Sequence, residues 1–119
     1  MEPVHLTQKL TLISDQWSPH IIAQMNDTQF KLAKIEGEFV WHSHDDTDEA
    51  FFVVQGSFTM EYRDKSVVLN EGDLVVVPKG VEHRPVAAKE CHILLIERAG
   101  TVNTGNAGGN MTAAADKWI

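Results

Sequence analysis

Short apolar runs separated by turn residues recur along most of the chain. From residue 20 onward, runs rich in Val, Ile and Phe return every eight to twelve residues, with turn sequences such as Asn26-Asp27, Arg63-Asp64 and Asn70-Glu71-Gly72 between them. This rhythm is typical of an all-β sandwich or barrel. No segment of helical period between the runs is long enough to form a βαβ unit, so we predict an antiparallel rather than a parallel sheet.

The alternation of apolar and polar positions predicts nine strands, at residues 20–25, 28–36, 39–43, 49–55, 58–63, 66–69, 73–77, 83–87 and 91–98. In the second of these, Phe30 and Leu32 share a face with Lys34 and Glu36. This mixed face has two interpretations: a Lys34 side chain that reaches the cavity, or a purely structural cause, which is a β-bulge or the end of the strand. We favour the structural cause.

The two ends of the chain have different patterns from the middle. Leu6, Leu10 and Ile13 are spaced by three or four residues, which predicts a short helix or an irregular arm within residues 1–19. Residues 99–119 are rich in Gly and Asn and predict a loop or a loosely held tail, although the terminal Trp118-Ile119 is apolar enough to dock. We therefore expect one domain over residues 1–119, with its barrel core at about 20–98.

Composition and charge narrow the class of protein. The chain is 43% apolar and 23% charged, and apolar runs such as Ile93 to Ile96 are too short to cross a membrane. The N-terminal residues lack the pattern of a secretion signal, and the single Cys91 cannot form an internal disulfide, so we predict a cytoplasmic protein. The net charge of −7 and the lack of a basic stripe argue against nucleic acid as a partner.

A cluster of histidines and a glutamate carries the candidate chemistry. His42 and His44 are two residues apart, and both imidazoles would point to one face of a strand. Glu49 follows after the acidic turn 45–48 and can return its carboxylate toward them. A later stretch, Gly72 through Pro78 and Gly80 to His83, predicts turn, strand, turn and a strand that begins with another imidazole.

These residues fall into two spaced motifs. Gly37-x4-His42-x-His44-x4-Glu49-x6-Gly56 resembles the first motif of the cupin superfamily, and Gly72-x5-Pro78-x-Gly80-x2-His83 resembles its second. The resemblance covers Gly37 to about Ala87, with Gly37 one residue closer to His42 than is commonest and Ala87 where Asn is frequent. It implies a double-stranded β-helix, the jelly-roll barrel of cupins, and it implies that His42, His44, Glu49 and His83 are metal ligands.

Three imidazoles and one carboxylate suit one divalent transition metal, and Mn, Fe, Co, Ni, Cu and Zn all remain open because affinity alone does not choose among them. Such a site leaves coordination positions for water or a substrate. Strand parity predicts a small, mainly apolar pocket beside the metal, lined by Val40, Phe51, Val53, Gln55, Met60 and Tyr62.

Function is open between an enzyme and a binding module. Small cupins of this kind are often labelled mannose-6-phosphate isomerase-like, but a shared barrel does not fix a reaction. One hypothesis is a metal-dependent oxygenase, isomerase or lyase that acts on a small carbonyl-containing or phosphorylated molecule. The alternative is a barrel that binds or senses a small ligand without turnover, with or without metal. A third hypothesis is a largely structural role in a dimer, which outward apolar residues such as Phe52 and Val54 would support. We predict a homodimer, which is compatible with all three hypotheses.

Overall fold

The computed structural model describes residues 1–119 and is almost entirely β-structure. One short helix precedes seven strands: α1 (Leu6–Leu10), β1 (His20–Met25), β2 (Thr28–Glu38), β3 (Glu49–Gln55), β4 (Ser57–Tyr62), β5 (Ser66–Asn70), β6 (Leu74–Val77) and β7 (His83–Arg98). All paired strands are antiparallel, in the order β1-β2-β7-β3-β6, while β4 pairs with β5 and β7. The all-β fold and the jelly-roll barrel predicted from the sequence are confirmed.

Strand β7 joins the parts of the barrel because it is 16 residues long and pairs with three other strands. Its first half pairs with β4, from Tyr62↔His83 to Thr59↔Val86, and its second half pairs with β3. Strand β2 lies along its other edge, and the β2–β7 register shifts where Ile35 and Gly37 face β7. This irregularity lets β7 stay paired with β2 along one edge while its other edge changes partner from β4 to β3.

The structure corrects three of the predicted strands. Residues 83–87 and 91–98 belong to the single strand β7, and the exposed residues 88–90 between them form its irregular part. Residues 39–43 do not form a strand, and their only bridge joins His42 to His83. The apolar residue Phe39 suggested a strand, but it is buried as part of a loop that folds over the barrel end.

The barrel interior is filled by side chains that alternate along the strands. Twelve buried apolar residues form the main core, among them Val53 and Met60, which are fully buried. Burial removes their apolar surface from water, which is the main favourable term in folding. The interior of the barrel is therefore largely a packed core, and only one end of it leaves space beside the imidazoles.

A second apolar cluster lies outside the barrel, where α1 and the residues after it cover β1 and β2. Leu10, Ile13, Ile22 and Leu32 are buried there. Leu32 thus faces outward from the barrel, and Lys34 on the same face donates a hydrogen bond to the Ile13 carbonyl oxygen at 2.8 Å. The inward face of β2 carries Lys31 and Ala33 instead, so Lys34 does not reach the interior.

No helix in the structure is long and apolar enough to cross a membrane.

The C-terminal residues are a loop, as predicted, but they are not loosely held. Thr104 is fully buried. The amide of Ile119 donates to the Ile21 carbonyl at 3.1 Å, and Lys9 donates to a carbonyl oxygen of Ile119 at 2.8 Å. The chain end thereby covers the free edge of β1, in agreement with the prediction that the apolar C-terminus docks.

The outer cluster makes a testable contribution to stability. Truncating the fully buried Leu32 by Leu32→Ala removes packing between α1 and the sheet, and we expect a loss of about 3 kcal/mol in the free energy of unfolding. The matched control is Leu12→Ala, because Leu12 is exposed and its truncation should cost less than about 0.5 kcal/mol. Urea unfolding of the two variants measures both values. Equal stability of both variants would contradict the packing of α1 against the sheet.

Candidate metal centre

Four side chains converge at one end of the barrel, although they come from three places in the chain. His42 and His44 lie in the loop before β3, Glu49 is the first residue of β3, and His83 is the first residue of β7. One ligand atom from each lies within 4.8 Å of the others, and all four residues are buried. The structure thus brings together all four of the residues that the sequence singled out.

Backbone carbonyls orient two of the imidazoles. The Nδ1 atom of His42 lies 2.9 Å from the Val40 carbonyl oxygen, and the Nδ1 atom of His83 lies 2.9 Å from the Val81 carbonyl oxygen. Because a carbonyl oxygen only accepts, each Nδ1 must be the protonated nitrogen. Each Nε2 atom is then left with a lone pair, which is the form of imidazole that binds a metal.

Three polar atoms at the centre of the group have no hydrogen-bond partner. They are His44 Nε2, His83 Nε2 and Glu49 Oε1, and all three are inaccessible to solvent. The two nitrogens lie 3.3 and 3.5 Å from Glu49 Oε1, without hydrogen-bond geometry. Buried polar atoms without partners are costly, so native structures rarely contain them. A divalent cation between these atoms would satisfy all three, and the residues therefore fit a metal.

The electrostatics keep two of the four side chains, His42 and Glu49, in the forms that bind a metal. Burial and the neighbouring His83 together lower the pKa of His42 to about 4, so His42 is neutral near pH 7. Burial alone would raise the pKa of Glu49, but the side chains of His44, His83 and Glu97 beside it together outweigh this effect and lower the pKa. Glu49 is therefore ionised at neutral pH. Neutral imidazole and ionised carboxylate are the states that coordinate a cation.

Next to Glu49 lies a buried pair of ionisable residues, Lys31 and Glu97. Glu97 is the direct partner of Glu49 in the β3–β7 register, and Lys31 Nζ lies 3.0 Å from Glu97 Oε2. Both side chains are nearly inaccessible to solvent. Burial and the nearby Glu49 raise the pKa of Glu97, whereas Lys31 opposes this rise. Lys31 thus supplies a positive charge next to the buried Glu97 carboxyl group, and removal of either residue would leave an unpaired polar group in the core.

A small cavity opens beside the four side chains. It leaves about 30 Å³ in which the centre of a water-sized molecule can move, which is enough for at least one water. Its lining is mainly apolar and consists of Trp17, Pro19, Ala33, Ile35, Phe39, His42, Glu49, Phe51, Pro85, Ile93, Leu95 and Asn103. Trp17 and Phe39 stack at 4.6 Å and form one wall of it. The cavity contains no Lys or Arg side chain.

The six predicted pocket residues occupy different places. Phe51 lines the cavity, whereas Val53 and Met60 lie deeper, in the packed core. Gln55 is exposed, because the β3–β7 register shifts between Val53 and Gln55 and reverses the side-chain parity there. The two remaining residues are partly buried outside the cavity lining: Val40 and Tyr62.

Two arginines that could have held a substrate carboxylate lie elsewhere. Arg63 pairs with Glu82 at 3.1 Å, and its guanidinium stacks on Trp41. Arg84 pairs with Glu61 at 2.7 Å and also with Glu38. Neither arginine lines the cavity. They form a surface network with acidic partners instead, which is the more ordinary role of exposed arginines.

Sequence reasoning missed several residues around the centre. Trp17 and Asn103 line the cavity from outside the two motifs, and Lys31 and Glu97 form the buried pair. Strand parity held a signal for the pair, because Glu97 shares a face with Ile93 and Leu95 and so had to point inward. Nothing local indicated that Trp17 and Asn103 would meet, since they lie 86 residues apart.

The antiparallel barrel, with three imidazoles and a carboxylate at one end, has the architecture of a cupin. The chain belongs to the Cupin domain family, which it matches over residues 28–97. A cupin-2 domain containing protein from Shewanella frigidimarina NCIMB 400 is 50% identical, with a TM-score of 0.79 over 80% of this chain and 93% of that one. The resemblance inferred from the two motifs is confirmed.

Two further proteins are similar to this chain. Protein NMB1881 from Neisseria meningitidis is 37% identical, with a TM-score of 0.75 over 82% of this chain and 99% of that one. The Bacillus subtilis (strain 168) protein called "Uncharacterized protein YdbB" is 41% identical over 64 residues, or 53% of this chain. The match covers 57% of the YdbB protein, so the chain spans little more than half the length of this relative.

The likeness to sugar phosphate isomerases is one of fold. The structure of a putative sugar phosphate isomerase from Acidithiobacillus ferrooxidans is 22% identical, with a TM-score of 0.56 over 65% of this chain and 53% of that one. At this identity the two proteins share a barrel, and a barrel supports many reactions.

The lowered pKa of His42 predicts a pH dependence of the metal-free protein. The pKa of His42 is about 4 in the fold against an ordinary 6.5, so the unfolded chain binds the extra proton first as the pH falls. Stability should therefore be lost between about pH 6.5 and pH 4, by about 3 kcal/mol in total. Urea unfolding across this range measures the loss, and His42→Asn should show a shallower slope. The same slope in both proteins would contradict the assignment to His42.

Proposed function

We propose that this protein binds one divalent first-row transition metal through His42, His44, Glu49 and His83. The proposal is carried by three buried side-chain atoms that could bind a metal, one each from His44, Glu49 and His83. They converge on one point and have no hydrogen-bond partners. The fourth, His42, supports it because its Nδ1 is paired with a carbonyl, which leaves Nε2 free.

The donor set defines the chemistry of the site. Three neutral imidazoles and one carboxylate leave a net positive charge on a divalent ion, which can act as a Lewis acid toward a bound oxygen atom. Glu49 supplies the only negative charge among the four ligands, and the carbonyls of Val40 and Val81 hold two of the imidazoles in position. Glu97 lies directly opposite Glu49 in the β3–β7 register and pairs with Lys31.

The cavity favours a small, uncharged ligand. Its lining is almost entirely apolar, and the amide of Asn103 is already engaged with the carbonyls of Trp17 and Met111 and the amide of Ala113. Recognition of a phosphate or carboxylate normally requires Arg, Lys or free backbone N–H groups. The lining contains neither cation, which favours a neutral carbonyl compound over a phosphorylated one.

Binding without turnover is the second candidate function. His42 and Glu49 are the only titratable residues in the cavity lining, and both belong to the proposed ligand set. A substrate there would meet no separate protein side chain able to act as a general acid or base. This feature favours either chemistry centred on the metal and its water or the reversible binding of a small ligand.

Homodimerisation is proposed from the outer face of the sheet. Leu74 and Val76 on the edge strand β6 are about half exposed and lie beside Phe52 and Ala50 in the register. An apolar patch at a free sheet edge is typical of a surface that pairs with another copy. A cytoplasmic location stays a prediction from the sequence.

Metal analysis of the purified, untagged protein tests the proposal. We expect about one equivalent of a first-row metal per chain, and less than about a tenth of that in His42→Ala/His83→Ala, because the double variant removes half of the donors. His5→Ala/His92→Ala is the matched control, since both of its histidines lie outside the centre and it should retain the metal. Inductively coupled plasma mass spectrometry gives the metal content of each.

The proposal is wrong if wild-type protein holds no more metal than the double variant, even after incubation with Mn, Fe, Co, Ni, Cu and Zn. Circular dichroism of both variants separates loss of metal from loss of fold. Retention of metal by the double variant would place the ion at another site.

The ligand class is tested on protein loaded with Co²⁺, whose visible absorption responds to changes at the metal. We expect acetone, as a small neutral carbonyl compound, to change this spectrum at lower concentration than dihydroxyacetone phosphate, because the cavity lacks a cation for the phosphate. A stronger response to the phosphorylated compound would contradict the neutral-ligand assignment. Phosphate alone serves as the control for direct binding of the anion to Co²⁺.

A further inference from the structure

Two of the four proposed ligands lie on a segment with little sheet support. Residues 39–48 belong to no strand, and their backbone bonds to strand residues are the His42–His83 bridge and one hydrogen bond, from the Phe39 amide to the Pro85 carbonyl oxygen at 3.1 Å. In that bridge the backbone amide of His42 donates to the His83 carbonyl oxygen at 3.1 Å, and the backbone amide of His83 donates to the His42 carbonyl oxygen at 2.9 Å. Ser43, which stands between the two ligand histidines, faces the other way. Its backbone groups need partners from elsewhere.

Asn106 supplies both of these partners. The backbone amide of Ser43 donates to the side-chain oxygen Oδ1 of Asn106 at 2.9 Å, and the backbone amide of Asn106 donates to the Ser43 carbonyl oxygen at 3.1 Å. This pair of hydrogen bonds reproduces one rung of an antiparallel ladder, with a side-chain amide in place of one backbone carbonyl. The segment is therefore held on both sides, by His83 on one and Asn106 on the other.

Gly105 brings the C-terminal loop into direct contact with the same segment. It has a positive φ of 52°, and a Cβ atom at this position would lie 2.2 Å from the Ser43 carbonyl oxygen and 3.1 Å from His44 Nδ1. No side chain can fit there unless the segment that carries His42 and His44 moves. The close approach therefore requires glycine for space as well as for backbone conformation.

The loop that presents these two residues is itself fixed. Thr104 is fully buried, and its hydroxyl lies 2.7 Å from that of Thr112. The Asn103 side chain donates to the Trp17 and Met111 carbonyls and accepts from the Ala113 amide. Side chains with all their hydrogen bonds satisfied hold a loop in one conformation. The loop can thus act as a rigid support for residues 39–48, the ligand segment that carries His42 and His44.

We propose that Gly105 and Asn106 are positioning residues of the metal centre, and that they set its metal affinity by holding the backbone of Ser43 between His42 and His44. The proposal rests on the metal binding proposed above. It assigns a role to the C-terminal loop, which lies beyond residues 28–97, the part matched by the Cupin domain family.

The first test compares two glycines in similar backbone conformations. Gly105→Ala and Gly108→Ala both place a side chain at a positive φ, 52° and 61°, but an added Cβ at Gly108 meets nothing within 4 Å. Backbone strain is thus common to both variants, and only Gly105→Ala displaces the ligand segment. We expect the dissociation constant for Zn²⁺, measured by competition with a chromophoric chelator, to rise about tenfold or more in Gly105→Ala alone.

The second test uses a milder change that should leave the fold intact. Asn106→Ala removes the acceptor of the Ser43 amide, whereas Asn106→Asp keeps an oxygen in the same place. We expect weaker Zn²⁺ binding, by about tenfold, in Asn106→Ala and recovery of most of the affinity in Asn106→Asp. Thermal unfolding of the metal-free proteins reports stability separately, and the Co²⁺ absorption spectrum reports the geometry of the ligands.

The outcomes separate the two proposals. The positioning role is wrong, while metal binding stands, if Gly105→Ala and Asn106→Ala bind Zn²⁺ as tightly as wild type and Gly108→Ala do. Should wild type itself fail to bind Zn²⁺ or Co²⁺, both proposals fall. Weaker binding with an altered Co²⁺ spectrum in Gly105→Ala and Asn106→Ala, and not in the two control variants, supports the positioning role. Loss of metal-free stability in these two variants with unchanged metal affinity would show a purely structural loop.

Discussion

Four buried polar side chains that converge on one point are the constraint around which the rest of this structure is arranged. His42, His44, Glu49 and His83 leave three donor atoms without hydrogen bonds at the end of the barrel. Folding must bring these groups together against the cost of removing them from water. Hydrogen bonds on the outer side of two imidazoles offset part of this cost, because the carbonyl oxygens of Val40 and Val81 accept from Nδ1 of His42 and His83.

The surroundings of the four side chains differ sharply on their two sides. On one side lies the buried pair of Lys31 and Glu97, with Glu97 directly opposite Glu49 in the β3–β7 register. On the other lies a small cavity with almost no polar surface. A cation held between them would face a charged support and an apolar opening, and a low dielectric strengthens its interaction with whatever ligand enters. Because of this asymmetry we propose a small neutral molecule as the ligand of the cavity.

The support of the ligand segment also depends on parts of the chain outside the two motifs. The first motif supplies His42 and His44 on a loop, and that loop is held by His83 from the second motif and by Asn106 from the C-terminal region. Trp17 from the N-terminal arm closes the cavity and accepts a hydrogen bond from Asn103. Both chain ends thus contribute to a centre whose proposed ligands all lie within residues 42–83.

The sequence by itself determined the all-β class, most strand positions and the identity of the four convergent residues, because alternation and turn residues are local properties and the two motifs have fixed spacing. It predicted a strand at residues 39–43 that the structure lacks, and it placed Gln55 inside because a bulge cannot be read from parity. Only the tertiary structure decided that Lys31 meets Glu97 and that Asn106 pairs with Ser43. These contacts join residues more than sixty positions apart, and the partner of a buried charge or backbone amide depends on the packing of the whole chain rather than on its neighbours in sequence.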